Sequence, residues 1–200
     1  MPAHDENDAE ILRSLAAGER SAFESLYRQH NGAMVRVASA ILDNHASAEE
    51  VAHETWIAVL HNIGGFEGRS SLGGWIFTIL SNKAKTRAIR DNRSVSLDTS
   101  ANDDEFADAF DGRGRWKHMP DLWDELTPER VVAGRQILDH VGDAIDALPP
   151  AQRAVLVLRA QQRLDAQEVC KILEITEGNM RILLHRARRT LRQAIDGAAG

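Results

Sequence analysis

The stretch EGNMRILLHRARRTLR, Glu177 to Arg192, decides how the chain is read. After Glu177 it holds five arginines, one histidine and no acid. On a helical wheel of about 100° per residue, Met180, Leu183, Leu184, Ala187, Leu191 and Ile195 share one side. Arg181, Ile182, His185, Arg186, Arg189 and Arg192 gather on the other. Such a helix is anchored by an apolar stripe and offers a cationic face to something anionic. The plainer alternative is a solvated arginine face on a structural helix, but acids are normally interspersed on such a face. Ile182 is the odd residue, apolar in the middle of a polar side. A thymine methyl or a partner protein would give it something to touch.

Immediately upstream, DAQE (Asp165 to Glu168) has the spacing of a capping box and opens a short helix over about 166–173. Val169, Ile172 and Leu173 supply its burial. Glu174, Ile175 and Thr176 make a tight connection, and Thr176 is placed to cap the arginine-rich helix. This is helix-turn-helix spacing, with a second helix sized for a major groove. Arginine gives bidentate guanine contacts and phosphate clamps. The helix start at Gly178 and Asn179 offers backbone N–H groups to a phosphate.

The rest of the chain sharpens the contrast. Of 200 residues, 24 are Lys or Arg and 30 are Asp or Glu, a net charge of −6. The charge is blocked: −7 over 1–68, +5 over 69–93, −6 over 94–130 and +2 over 131–200. Two basic islands in an acidic chain point to polyanion contact at the islands. No apolar run is long enough to span a bilayer, and MPAHDENDAE lacks the apolar segment of a signal peptide. The single cysteine, Cys170, allows no internal disulfide and no cysteine-built zinc cage. A reducing cytoplasm is the expected compartment, and Cys170 reads as a small buried hydrophobe.

Periodicity is helical throughout. One segment runs from Ile11 to Tyr27 with a break near Gly18, and a second from Met34 to Leu42. Ser47 to Glu50 reads as a capping box opening a third helix, which ends near Asn62 before Gly64 and Gly65. A loop with five glycines, GGFEGRSSLGG (64–74), precedes a fourth helix beginning at Trp75. Residues 94–126 are polar, acidic and aperiodic and read as a linker, in which Trp116, Met119 and Trp123 either pack locally on their own domain or dock on a partner. Thr127, Pro128 and Glu129 make a helix start. Helices follow over about 128–146 and 150–162, broken at Pro149 and Pro150. The expected fold is all-α: two small helical domains, 1–93 and 128–196, joined by a flexible acidic linker over 94–127.

At this point two blocks resemble one family. LPPAQRAVLVLRAQQRLDAQEVCKILEITEGNMRILLHRARRTLR (Leu148 to Arg192) resembles the promoter-reading C-terminal domain of extracytoplasmic-function sigma factors, specificity subunits of bacterial RNA polymerase. ASAEEVAHETWIAVLHNIGGFEGRSSLGGWIFTILSNKAKTRAIRDNR (Ala46 to Arg93) resembles the core-binding and promoter-melting domain of the same family. The resemblance implies a non-enzymatic protein that binds core polymerase and a bipartite promoter and is held by an anti-sigma factor. It implies no cofactor, no metal, no small-molecule substrate and no membrane insertion. For the −35 element it implies contacts from Thr176, Gly178, Asn179, Arg181, Ile182, His185, Arg186, Arg188 and Arg189. For the −10 element it implies Phe66 beside an extruded base, with Asn82, Lys83, Lys85, Arg87, Arg90 and Arg93 facing DNA. Glu49, Glu50, His53, Glu54 and Ile57 form one helix face, with Ala48, Val51, Ala52, Thr55 and Val59 behind it, and the resemblance makes that face the polymerase dock.

Three positions depart from the family pattern. Glu174 stands where the turn usually has glycine, so a differently shaped turn is allowed for. His53 replaces a common glutamine, which touches partner affinity and its pH dependence. Ile182 occupies a position often polar, so an unusual preference at one promoter position is expected. The rival readings are an autonomous helix-turn-helix regulator, which needs a tight DNA complex of its own, and a metal-dependent hydrolase. The latter fails on spacing: four residues after His53 comes Ile57, not histidine.

Overall fold

A computed structural model of the chain describes residues 4–91 and 141–198. Among the described residues the regular elements are helical: α1 (His4–Ala16), α2 (Arg20–Leu42), α3 (His45–Asn62), α4 (Leu72–Arg90), α5 (Pro150–Leu156), α6 (Ala166–Leu173) and α7 (Glu177–Ala198). A 3-10 turn, Ile63–Gly65, closes α3, and a π-helical turn, Val157–Gln161, extends α5. The expectations for Arg93, for the linker 94–127 and its aromatic residues, and for the helix start at Thr127 fall outside the described residues.

Local chemistry sets most helix ends. Gly18, at φ +76°, separates α1 from α2, a left-handed geometry that glycine adopts without steric cost. Asp165 accepts from the Glu168 backbone N–H at 2.8 Å while Glu168 reaches back to the Asp165 N–H at 3.3 Å, so the expected capping box is complete. The Thr176 hydroxyl accepts from the Asn179 N–H at 3.2 Å and caps α7 as expected. Pro150 opens α5 in the first turn, where its missing N–H costs nothing.

Three boundaries differ from the sequence reading. The two apolar segments on either side of Arg28 belong to a single 23-residue helix, α2. Leu26, His30, Ala33, Met34 and Val37 form one unbroken buried stripe through it, and that packing outweighs the roughly 1 kcal/mol that Gly32 costs mid-helix. The cap of α3 is Asn44, whose side chain accepts from the Ser47 N–H at 2.9 Å, so the helix begins before Ser47. Helix α4 begins at Leu72, with Ser71 accepting from the Gly74 N–H at 3.0 Å, so two of the loop glycines lie in its first turn.

Helices α2, α3 and α4 pack together, and α7 packs on α5 and α6. The two groups are also docked on each other: α5 and its π turn lie on α2, and α6 lies on α4. Met34, Val37, Phe77 and Leu80 from the first group share one continuous apolar core with Leu158, Val169, Ile172 and Leu183 from the second. The chain therefore has the two helical units expected, arranged as one closed body.

The N-cap difference gives a direct check. Asn44→Ala should lower the unfolding free energy by about 1 kcal/mol in urea denaturation, whereas Ser47→Ala should stay within about 0.5 kcal/mol. The opposite ranking would restore Ser47 as the cap.

Candidate nucleic-acid and polymerase interfaces

The helix-turn-helix is held from beneath. Met180, Leu183, Leu184 and Ala187 of α7 are all buried, and Leu191 packs at the edge of the same core. The other side carries the charge. Arg189 is exposed, while Arg181, His185, Arg186 and Arg188 are half-buried. Arg181 pairs with Glu177 one turn earlier on the same helix. Burial, and after it Arg189 and Arg188, hold His185 below the ordinary imidazole value, so near neutral pH it stays an uncharged ring among guanidinium groups. Arg188 lies closer in than expected: its Nε is buried with no hydrogen-bond partner among the described residues, and burial, then the charge of Arg159, lower its guanidinium from the ordinary value.

Two site residues are placed otherwise than expected. Ile182 is only 5% exposed, although it lies outside the continuous core. An isoleucine shielded from water gains roughly 1.5–3 kcal/mol over one left open, which is reason enough for it to leave the polar face. Asn179 is 8% exposed. Thr176 and Gly178 remain exposed at the helix start.

The turn keeps the shape that a glycine would give. Glu174 adopts φ 57° and ψ 45°, a left-handed cap on α6, which costs a residue with a side chain roughly 1–2 kcal/mol. Its carboxylate lies 2.9 Å from Lys85 Nζ on α4. The expectation of a differently shaped turn is thus not met; the strained residue instead reaches the other unit.

The basic ridge of α4 is only partly open. Asn82 and Arg90 are exposed. Lys83 pairs with Glu54 at 3.6 Å and Arg87 with Glu50 at 3.0 Å, so the ridge and the acidic face of α3 neutralise each other along one edge. Lys85 donates to the Ile172 carbonyl at 3.2 Å besides pairing with Glu174. Phe66 is half-buried, its ring 5.3 Å from that of Trp75. Together with Arg69 of the same loop they line a cleft of about 330 Å³ between the glycine-rich loop and α6, with Glu168, Lys171 and Ile172 opposite.

On α3 the two sides fall as the sequence reading has them, with Trp56 added to the buried side. Glu49, Glu50, His53, Glu54 and Ile57 are exposed, and Ala48, Val51, Ala52, Thr55 and Val59 are buried. Two apolar neighbours were not singled out from sequence. Leu60, 47% exposed, follows Ile57 on the same face, and Tyr27, 41% exposed, stacks its ring 5.4 Å from Trp56. Helical spacing of i and i+3 from Ile57 was the available signal for Leu60.

Polar contacts cross the seam between the units, some of them from buried side chains such as Ser81 and His30. Glu168 Oε1 accepts from the Ser71 N–H at 3.0 Å and the Ser71 hydroxyl at 2.7 Å. The Ser81 hydroxyl donates to the Ile172 carbonyl at 2.7 Å. His30 Nδ1 lies 2.5 Å from Gln162 Oε1, and Arg36 lies 2.9 Å from Asp146. Burial holds His30 below the ordinary imidazole value, with Gln162 and Asp8 pulling the other way. Among the described residues no cluster of side chains is arranged to hold a metal ion, and no helix is long and apolar enough to cross a membrane.

Comparisons with known proteins fall on both units. Residues 26–95 match the family model described as Sigma-70 region 2, and residues 138–191 match Sigma-70, region 4. The RNA polymerase sigma-H factor of Pseudomonas aeruginosa is 26% identical, over 95% of this chain and 94% of that protein. The ECF RNA polymerase sigma factor BldN of Streptomyces coelicolor is 29% identical, over 95% of this chain and 67% of the relative. The solved structure of the sigma factor RpoE of Bartonella quintana, in complex with the anti-sigma factor NepR, has a similar fold. Its TM-score is 0.50 and its identity 19%, over 87% of this chain and 96% of that one.

Cys170 on α6 is half-buried. Burial, and next Glu177, push its thiol above the ordinary value, which leaves little thiolate at neutral pH. Iodoacetamide should therefore alkylate Cys170 several-fold more slowly in the folded chain than in urea, read by intact-mass spectrometry; equal rates would place the thiol in open solvent.

Proposed function

The chain belongs to the extracytoplasmic-function sigma factors of the sigma-70 family, and we propose that it divides that work among the three faces described above. As a sigma factor it binds core RNA polymerase and directs initiation at particular promoters; proteins of this family are not enzymes. The observation that carries the division of labour is the arginine side of α7. From Gly178 to Ile195 it carries no acid, and its helix is fixed by a buried stripe and a side-chain cap.

In this reading the unit 128–196 takes the −35 element into its helix-turn-helix. Arg181, Arg186 and Arg189 supply charge and bidentate donors, with His185 as a neutral neighbour. The exposed helix start at Thr176 and Gly178 faces a phosphate, with Asn179 N–H held by the Thr176 hydroxyl beneath it, and Arg188 supports from its more sheltered place. Ile182, shielded as it is, serves as a spacer rather than as a base contact. The unit 1–93 takes the −10 element. Asn82, Lys83, Lys85, Arg87, Arg90 and Arg93 follow the backbone, and the cleft beside Phe66 receives a base turned out of the stack. Such a base loses a few kcal/mol of stacking and needs a surface to lie against. Glu49, Glu50, His53, Glu54 and Ile57, extended by Leu60, dock a basic, partly apolar element of the polymerase. Segment 94–127 connects the units. The chain carries no catalytic residues and needs no cofactor. It works in the cytoplasm beside the polymerase and is restrained by an anti-sigma factor. The autonomous-regulator reading leaves the acidic face of α3 without a use.

The test is transcription from a promoter library with purified core polymerase, with and without the protein. Promoter firing that depends on the protein is the expected result; a footprint by the protein alone with no firing would favour the autonomous regulator. Arg181→Glu with Arg186→Glu should abolish promoter use and leave core binding unchanged in a pull-down. Glu50→Lys with Glu54→Lys should weaken core binding by roughly ten- to hundredfold. Loss of core binding from the α7 changes would overturn the assignment of faces.

A further inference from the structure

Among the described residues, Tyr27, Ile57, Leu60 and Ile89 are the large apolar side chains left exposed. The first three lie on or beside the outer face of α3, which the polymerase dock accounts for. Ile89 is elsewhere. It sits in the last turn of α4 and is 75% exposed, the most open of the four. On a wheel of about 100° per residue, it falls between Lys85 on one side and Asn82, Thr86 and Arg90 on the other. Those three are exposed and line a groove of about 250 Å³ against α3. The isoleucine therefore stands in the middle of the basic island rather than at its margin.

Exposure alone does not single it out, since isolated apolar residues are common on surfaces. Its place does. A helix that lays Asn82, Lys85 and Arg90 on promoter DNA carries Ile89 into contact between them. Folding gains nothing from it there, because isoleucine is a poorer helix residue than alanine. Its surroundings define what it meets. From Lys83 to Arg90 the helix has four cations and no acid, and Arg90 has no acid nearer than Asp91 at 4.0 Å among the described residues. The complement is an apolar spot flanked by negative charge. On the base edges of the major groove that spot is the thymine C5-methyl group, with phosphates on either side. Ile182 on α7, the other isoleucine set among arginines, is shielded at 5% exposure, so α4 is the helix that offers such a contact.

We infer that Ile89 is a specificity-determining residue of this face: it packs on the methyl group of a thymine in the paired part of the −10 region and so favours thymine at one position. The inference rests on the assignment of α4 to the −10 element and adds a choice of base to it. The cations hold phosphates, which position the protein but carry no sequence information. The cleft beside Phe66 takes a base already turned out of the stack, whereas the end of α4 meets base pairs that are still closed.

Promoters selected by run-off transcription from a library randomised around the −10 region test this, with core polymerase and either the full-length wild type or its Ile89→Ala variant. Wild type should enrich thymine at one position that the variant leaves free. Deoxyuridine, which lacks only the methyl group, is then placed at that position of a selected promoter. Wild-type transcription should fall about fourfold, the weight of one buried methyl, while Ile89→Ala should give equal yields from the two templates. Arg90→Ala is the contrast: it should weaken all promoters alike and keep the methyl effect. Ile89→Ala should melt no lower than wild type in circular dichroism, since alanine suits an exposed helix position, and should bind core polymerase equally well. Equal deoxyuridine responses in wild type and Ile89→Ala would overturn the inference. So would a lower melting temperature, which would make Ile89 a packing residue, or weaker core binding, which would make its cover a protein. If wild type fired no member of the library, the sigma-factor assignment of the faces, on which this inference rests, would fall first.

Discussion

The cationic side of α7 exists because the other side is buried. Five arginines on one helix repel one another, and most helical stability in a protein comes from packing of an apolar face rather than from propensity. Met180, Leu183, Leu184 and Ala187 remove that difficulty by entering the core. A fully buried leucine is worth roughly 1.5–3 kcal/mol, so this stripe alone exceeds what surface repulsion between screened charges takes away. The Thr176 cap and the Asp165–Glu168 box then fix where the two helices begin. Everything the helix can do to a polyanion depends on this stripe holding its backbone in place.

The same logic governs α3, with the sign of the charge reversed. Six residues at helical spacing, Ala48, Val51, Ala52, Thr55, Trp56 and Val59, anchor it, and the acids are left outside. Along one edge Glu54 and Glu50 meet Lys83 and Arg87 of α4. Exposed ion pairs of this sort are worth less than about 1 kcal/mol, so either partner is released cheaply when a macromolecule arrives. The acidic and basic faces can therefore sit side by side on one small unit and still be used separately.

Much of this was legible from residue order because it is local. Capping spacing named Asp165 and Thr176, and a 3.6-residue period separated the buried from the exposed face of α3 and found the stripe on α7. The reading failed where a distant part of the chain intervened. Ile182 sits among charges in sequence, but shielding it costs nothing and gains burial. Arg28 to Gly32 looks like an interruption, but the stripe through His30 and Ala33 packs regardless. Asn44 rather than Ser47 caps α3 for a local reason: both are good caps at nearly the same place, and the left-handed turn at Asp43 sets Asn44 at the helix start. The contacts of Glu168, Gln162 and Asp146 across the units had no sequence signal, since hydrogen bonds between remote segments follow no period.

The bare α-carbon of Gly74 couples two positions far apart in sequence. A β-carbon there would meet the end of the Glu168 side chain, which could swing aside only by giving up its hydrogen bonds to Ser71. Inside α4, alanine would otherwise be favoured over glycine by about 1 kcal/mol. Retention of glycine at this site across descendants would then record selection on how the two units meet, and its replacement should arrive together with loss of the acid on the facing helix.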